Sequence, residues 1–220
     1  KNKNHQILDI INSPEIDLAN LPEEIHEFYY LPGSITLKPF KMTKLSDIQN
    51  DFEINILGFV KVLQQIIPKL VKGNGSVLSF SSVAAKIGLE YHSSVSIAKG
   101  ALEALNKSLA AEYAKSVRFN TIALSLSDTK MASQLLNNEK KVELATIRNP
   151  MGKIGNPIKI AKLATFINNK TGEKTYLGSP SISTYDLLEN SEEFQNSIGG
   201  KIILDEFGRC KLLGYRGNGL

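Results

Sequence analysis

The residues best suited to chemistry in this 220-residue chain are a pair of serines and a lysine. Ser81 and Ser82 directly follow the apolar run 76–80, which predicts a buried strand. Lys99 lies on the largely apolar face of a predicted helix over 94–114. A purely structural role does not readily explain an ammonium group at such a position. A hydroxyl and an amine can hydrogen-bond a substrate oxygen and help to move a proton. Paired serines after a strand are also common turn residues, so Lys99 is the strongest single functional candidate.

The histidines offer weaker chemistry. His5, His26 and His92 are isolated, with no carboxylate or histidine at metal-ligand spacing, so no metal site is predicted. Ser82 and His92 together could suggest a hydrolase, but no G-x-S-x-G turn surrounds the serine.

Short apolar strands alternate with long helices along the chain. Strands are predicted within 26–35, 76–80, 118–126 and 201–205, and helices over 46–70, 94–114, 130–147 and 156–168. Helical connections of this length require parallel pairing, which predicts an α/β fold with a doubly wound, Rossmann-like parallel sheet. Ligands bind beyond the carboxyl ends of such strands, which directs attention to Pro32-Gly33, Ser81-Ser82 and 125–131.

Three local patterns predict how the helices begin and which charges face solvent. The segment 46–49 matches a capping box with Ser46 as the N-cap. Asn156-Pro157 predicts an N-cap followed by the first helical residue. Glu103 lies four residues before Lys107, which predicts an ion pair along one helix.

The composition excludes several classes of protein. Hydrophobic residues make up 42% and charged residues 22%, as in ordinary globular domains. The net charge of +4 is mild and the basic residues are scattered, so no nucleic-acid partner is predicted. No apolar run approaches the roughly 18–20 residues of a membrane span, so no membrane partner is predicted either. A single cysteine, Cys210, favours a cytoplasmic location in a reducing compartment.

Several segments together resemble the short-chain dehydrogenase/reductase family. The resemblance rests on 79–85 (SFSSVAA), 96–114, 118–131, 148–167 and 199–208, with Asn55 in EINILG, in the order and spacing of the family. It implies an oxidoreductase that uses NAD or NADP and acts on a small-molecule alcohol/carbonyl pair. In the catalytic roles that it implies, Ser82 bonds the reacting oxygen and Lys99 holds the nicotinamide ribose. Asn55 orders a water in the proton path.

The resemblance also implies further cofactor contacts and an assembly. Thr129 would bond the nicotinamide carboxamide, and Gly33 and Asp9 are the other cofactor-binding candidates, Asp9 in the place of the family's adenine-contacting aspartate. The helices 46–70 and 94–114 would pack against a second subunit in a homodimer or homotetramer.

The tyrosine that donates the proton in this family has no counterpart here. It lies four residues before the lysine and thirteen after the serine, and both counts reach Val95. His92 and Tyr91 lie just upstream, and His92 is the candidate donor because imidazole titrates near neutral pH. A histidine at that place can equally cap the helix or face solvent. The alternative function is a non-catalytic nucleotide-binding or subunit-interaction protein on the same scaffold.

The amino-terminal part also departs from the family. No TGxxxGxG pattern precedes residue 26, and HQILDI (5–10) corresponds at most to the third strand. We expect either a truncated or partial chain, incomplete in its cofactor half, or a rearranged pairing in which 5–11 cover the bare sheet edge. The whole chain is predicted to form one domain, with 169–199 as an irregular insertion and 209–220 as a flexible tail.

Overall fold

The computed structural model describes residues 9–12, 19, 21–168, 202–204 and 210–212. The chain divides into two compact units, Lys1–Ala123 and Leu124–Leu220. The predicted insertion at 169–199 lies outside the described residues.

The first unit is built on a parallel α/β sheet, as predicted. Its strands are β1 (Glu27–Tyr30), β2 (Ser76–Ser82) and β3 (Arg118–Leu124), in the order β1-β2-β3. Its helices are α1 (Leu45–Phe52), α2 (Gly58–Lys72), α3 (Ala84–Ile87) and α4 (Ser93–Glu112), with a 3₁₀ turn at Phe40–Met42 and a π turn at Glu53–Leu57. Strands β1 and β2 run parallel, with Glu27 opposite Ser76 and Tyr30 opposite Ser79. Within the residues that the structure describes, this sheet has three strands.

The apolar face of α2 forms the core together with the aromatic residues of β1. Phe59 and Leu70 are fully buried, and the ring of Tyr30 meets that of Phe59 edge-on at a centroid distance of 5.2 Å. Gly58 permits this approach, because a Cβ at that position would lie 2.6 Å from the Tyr30 hydroxyl oxygen. The helical spacing of apolar residues seen in the sequence therefore does mark the buried face.

The helical stretch Leu45–Lys72 is long and apolar enough to cross a membrane by length and composition alone. It has 28 residues, and one 18-residue window has a mean hydropathy of 1.4. The expectation that no segment reaches this length is therefore corrected. One face of it is buried in the core, Phe59 and Leu63 among its residues, and Lys61 forms an ion pair with Glu53 at 2.5 Å. We therefore interpret it as the core helix of the sheet.

Helix α1 does not begin as the sequence predicted. Lys44, not Ser46, is the N-cap residue, and the Asp47 carboxylate accepts the Lys44 backbone N–H at 2.9 Å. The acidic side chain one residue beyond Ser46 reaches back to the free backbone donor, and this shifts the helix start.

Helix α4 buries Val95, Ala98 and Leu102, which confirms its predicted apolar stripe. The predicted ion pair between Glu103 and Lys107 is wrong. Glu103 is 5% exposed, and its carboxylate accepts the Ser81 hydroxyl at 2.6 Å and pairs with the Lys86 ammonium at 2.8 Å. Since Glu103 faces the end of β2 and helix α3, it is directed away from the solvent side that Lys107 occupies.

Near the amino terminus, residues 10–12 form a turn and not the continuation of a strand. Ile10 packs against the core next to Gly58, and the Ile11 carbonyl accepts the Lys61 ammonium at 3.2 Å. Of the segment 5–11 that was predicted to cover the sheet edge, Asp9 is a β-bridge residue, and residues 5–8 lie outside the described residues.

The second unit carries a 3₁₀ turn at Lys130–Leu135 and the helices α5 (Glu139–Arg148) and α6 (Pro157–Asn168). The single helix predicted over 130–147 is thus broken before Glu139. Asn156 caps α6 as predicted, since its side-chain oxygen accepts the backbone N–H of Ile158 at 2.9 Å. Ser127 and Gly155 form an isolated parallel bridge.

The last predicted strand is present but differently paired. Strand β4 (Ile202–Leu204) lies antiparallel to β5 (Cys210–Leu212) in a sheet of two strands. Residues 210–212, within the tail predicted over 209–220, form a strand, and the rest of that tail lies outside the described residues.

Candidate active site

Two of the predicted catalytic residues, Ser82 and Lys99, lie at the carboxyl end of β2. Ser82 is the last residue of that strand. The Lys99 ammonium donates a hydrogen bond of 2.8 Å to the carbonyl oxygen of Phe80, two residues earlier in the same strand. Lys99 reaches the strand from α4, and α4 packs directly on β2. The predicted succession of strand, turn and helix therefore places Lys99 at the end of the strand that carries Ser82.

The environment of Lys99 favours its neutral form. Burial lowers the pKa of the Lys99 ammonium from 10.5 to about 8, while the negative charge of Asp51 opposes this shift. An amine with such a pKa changes its protonation near physiological pH. This is a property of groups that take part in proton transfer, although structural ion pairs can produce it too.

The Ser82 hydroxyl accepts one hydrogen bond within the protein and still has its proton to donate. Its hydroxyl oxygen accepts the backbone N–H of Ala84 at 3.2 Å, at the start of α3. This leaves the hydroxyl proton to be donated to another acceptor. The side chain is only partly buried, so a carbonyl oxygen could approach it.

Asn55 lies within the π turn between α1 and α2 and is fully buried. Its side-chain NH₂ donates to the Asp51 carbonyl at 2.7 Å and to the Ser34 hydroxyl at 3.1 Å, while its Oδ1 has no partner among the described residues. The preceding carbonyl, that of Ile54, accepts the Tyr30 hydroxyl at 2.6 Å. Because a π turn frees a backbone carbonyl from the regular ladder, this bond from Tyr30 helps to hold the turn in which Asn55 sits.

The sequence reasoning did not identify Asp51, which is fully buried at the same place. Its carboxylate accepts the Ser34 and Ser94 hydroxyls, each at 2.6 Å, and the Thr36 backbone N–H at 3.2 Å. A signal for it exists in the sequence. Asp51 precedes Asn55 by one helical turn, on a face whose neighbouring positions are apolar.

At position 95, where the family has its proton-donating tyrosine, the structure has a buried valine. Val95 is 3% exposed and has no ionisable group. His92 is the N-cap residue of α4, and its Nδ1 lies 2.6 Å from the Glu90 carbonyl, to which it can only donate. His92 could therefore donate a second proton, from Nε2, only as the imidazolium. Tyr91 is 55% exposed and has a left-handed φ of 66°, a rare conformation for an aromatic residue.

The predicted cofactor-binding residues occupy separate places, and their roles stay predictions. Gly33 lies three residues beyond β1, next to Ser34. The exposed Asp9 carboxylate accepts the backbone N–H groups of Ile11 and Asn12 at 2.9 and 3.0 Å, and these bonds, with one from the Asn12 side chain, lower its pKa. In the second unit, Thr129 is the exposed N-cap residue of the 3₁₀ turn, beside a cavity of about 310 Å³ lined by Asp128 and others.

Comparisons with known proteins identify the family. A family model described as enoyl-(acyl carrier protein) reductase matches residues 29–174, well over half of the chain. The chain belongs to the short-chain dehydrogenase/reductase family. A tropinone reductase homologue of Arabidopsis thaliana is 35% identical over 108 residues, which are 48% of this chain and 41% of the relative. A 3-oxoacyl-(acyl carrier protein) reductase of Chlamydia pneumoniae is 32% identical over 123 residues, 55% of this chain and 49% of the relative. This family member thus spans about half the length of the curated relatives it matches.

Solved structures confirm the Rossmann-like fold of this short-chain dehydrogenase/reductase. Pseudomonas aeruginosa RhlG, in a complex with NADP, matches with a TM-score of 0.67 at 22% identity, over 72% of this chain and 64% of its own. A gluconate 5-dehydrogenase from Burkholderia cenocepacia, in complex with NADP and tartrate, matches with a TM-score of 0.66 at 18% identity, over 73% and 63%. The predicted family and fold class are therefore both confirmed.

Proposed function

We propose that this chain is part of an NAD(P)-dependent oxidoreductase that interconverts a small alcohol and the corresponding carbonyl compound. The observation that carries the proposal is the position of Lys99. Its half-buried ammonium bonds the carbonyl of Phe80, which precedes the partly exposed Ser82 by two residues at the carboxyl end of β2. The matched relatives named as reductases of oxoacyl and tropinone type support the same reaction class.

The side chains around β2 fit the nicotinamide end of such a cofactor. The nicotinamide, when bound, supplies or accepts the hydride. The Lys99 ammonium can hold ribose hydroxyls, and the Ser82 hydroxyl proton can bond the reacting oxygen. The unpartnered Oδ1 of Asn55 can accept a hydrogen bond from a water in the proton path. Gly33, Thr129 and Asp9 are proposed as further contacts to the cofactor.

The proton donor in this proposal is His92. It precedes Lys99 by seven residues on the same face of α4, which places the two Cα atoms about 10 Å apart along the helix axis. His92 therefore needs an intervening water to exchange a proton with the site around Lys99.

The first experiment is a titration of the chain with NADH and with NADPH, followed by thermal denaturation. Binding at micromolar concentration raises the melting temperature through mass action. Reductase activity is then measured on a panel of small ketones and aldehydes. Ser82→Ala should lower the rate about 10²–10³-fold, as expected for one lost donor to the reacting oxygen. Ser46→Ala, which changes an exposed serine in α1, is the control. Equal rates in the two variants would contradict the proposed role of Ser82.

A second candidate function is a non-catalytic nucleotide-binding or subunit-interaction protein. The buried, non-ionisable Val95 at the place of the family tyrosine favours it. Val95→Tyr discriminates the two, with Ile97→Tyr, at an exposed position of the same helix, as the control. A gain of reductase activity in Val95→Tyr alone would show that only the donor is missing. Cofactor binding without turnover, in the wild type and in both variants, would favour the non-catalytic function.

We also propose that the chain forms a homodimer or homotetramer in the cytoplasm. Leu57, Val71 and Ile97 are partly exposed apolar residues on the helical stretch 45–72 and on α4. Burying them in a subunit interface would stabilise an assembly. Light scattering after size-exclusion chromatography should give a mass of two or four chains, and a single-chain mass would contradict the proposal.

A further inference from the structure

The buried carboxylate of Asp51 connects the segments that carry the candidate site. Through Ser34 it reaches the loop after β1, and through Ser94 it reaches the first turn of α4. Its own backbone carbonyl accepts the Asn55 amide, at 2.7 Å. The Asp51 side chain thus connects the loop after β1 with the helix of Lys99, and it is linked to Asn55 of the π turn through the Ser34 hydroxyl, which the Asn55 amide also bonds.

Asp51 also provides a negative charge that acts on Lys99. A carboxylate placed in a protein interior is unfavourable unless it is hydrogen-bonded and opposed by a cation. The three hydrogen bonds from Ser34, Ser94 and Thr36 satisfy the first need. The electrostatic attraction between Asp51 and Lys99 satisfies the second.

The other charged groups on the neighbouring elements have different partners. Glu103, one turn beyond Lys99 on α4, pairs with Lys86 of α3. Glu53, in the π turn, pairs with Lys61 of α2. Among the charged residues that the structure describes, Asp51 is therefore the carboxylate that acts on Lys99.

We propose that Asp51 is a positioning residue, which fixes the start of α4, the helix of Lys99, and the Ser34 hydroxyl that Asn55 bonds, and whose charge attracts the Lys99 ammonium. The proposal rests on the proposed function, in that Lys99 is the group that would contact the cofactor. Asp51 itself is too deeply buried to touch a ligand, so it acts through Lys99 and Asn55.

The test compares Asp51→Asn with Asp47→Asn. Asp47 lies one turn earlier on α1, and its carboxylate bonds Lys38 and the Lys44 backbone, so both variants lose one negative charge and several hydrogen bonds. The protonation of Lys99 is followed by NMR of carbon-13-labelled lysine side chains between pH 6 and 11. Asp51→Asn should move the Lys99 midpoint about one pH unit lower, because an attracting charge is lost. Asp47→Asn should leave it unchanged. An unchanged midpoint in Asp51→Asn would overturn the proposal.

A double variant covers the case in which Asp51→Asn does not fold. Asp51→Asn combined with Lys99→Met contains neither charge, so it should regain most of the thermal stability that Asp51→Asn loses. No recovery would refute the coupling. Cofactor titration adds an independent readout, with binding weaker in Asp51→Asn than in Asp47→Asn. Failure of the wild type to bind NADH or NADPH would contradict the proposed function, whereas the NMR comparison and the double variant would still decide the role of Asp51.

Discussion

Replacing Lys99 by methionine should reverse the order of stability between variant and wild type as the pH rises. Methionine has a similar length and no charge, so the substitution removes the ammonium from its half-buried place at the end of β2. It also removes the hydrogen bond to the Phe80 carbonyl, whatever the pH.

The size of the effect follows from the lowered pKa of Lys99. A pKa lowered from 10.5 to about 8 corresponds to about 3 kcal/mol of free energy of unfolding. Below pH 8 both the folded and the unfolded chain hold the proton, so the folded state carries the whole penalty. Between pH 8 and 10.5 the unfolded chain holds more protons than the folded one, and stability rises with pH. The lost hydrogen bond costs the variant about 1 kcal/mol throughout.

Lys99→Met should therefore be more stable than the wild type by about 2 kcal/mol at pH 7, about equal to it near pH 10 and less stable by about 1 kcal/mol near pH 11. Urea denaturation at pH 7, 8, 9, 10 and 11 measures this difference. Lys107→Met, at an exposed position of the same helix, is the control and should follow the wild type at every pH. Parallel stability profiles for Lys99→Met and the wild type would refute the reasoning, since they would show that the Lys99 ammonium carries no burial penalty.

Two further predictions concern groups that hold the site in place. Tyr30→Phe loses the hydrogen bond to the Ile54 carbonyl and should lower the free energy of unfolding by about 1 kcal/mol, measured by urea denaturation. No change would show that this bond does not support the π turn. Glu103→Ala should cost about 1–2 kcal/mol, because it leaves the buried Ser81 hydroxyl without its acceptor. Lys107→Ala should be nearly neutral in the same assay, and equal losses in these two variants would restore the helix ion pair that the sequence suggested.

The elements of the first unit could be predicted because their signals are local. The apolar runs that begin at Glu27, Ser76 and Arg118 form β1, β2 and β3, and the apolar spacing of α2 marks its buried face. The predictions were wrong where a residue distant in the sequence, but close in the fold, is a better partner than a residue nearby in the sequence. Glu103 was predicted to pair with Lys107, four residues away, but it accepts the Ser81 hydroxyl at the end of β2 and pairs with the Lys86 ammonium of α3.

The candidate site was predictable to the same degree. Alternation of strands and helices places Ser82 and Lys99 at one sheet edge, and this is where they lie. Asp51 could not be recognised as their neighbour, because its partners Ser34 and Ser94 lie 17 and 43 residues away along the chain.

The sequence by itself determined the residue types available for chemistry: an amine, a hydroxyl and an amide in the order of the family, and a valine where its proton donor stands. It also determined the parallel α/β class, through the lengths of its connections. Only the tertiary structure decided how those groups are charged and held. Packing buries Lys99 and brings Asp51 to act on it, and desolvation and opposing charge depend on distances in space that no spacing along the chain records.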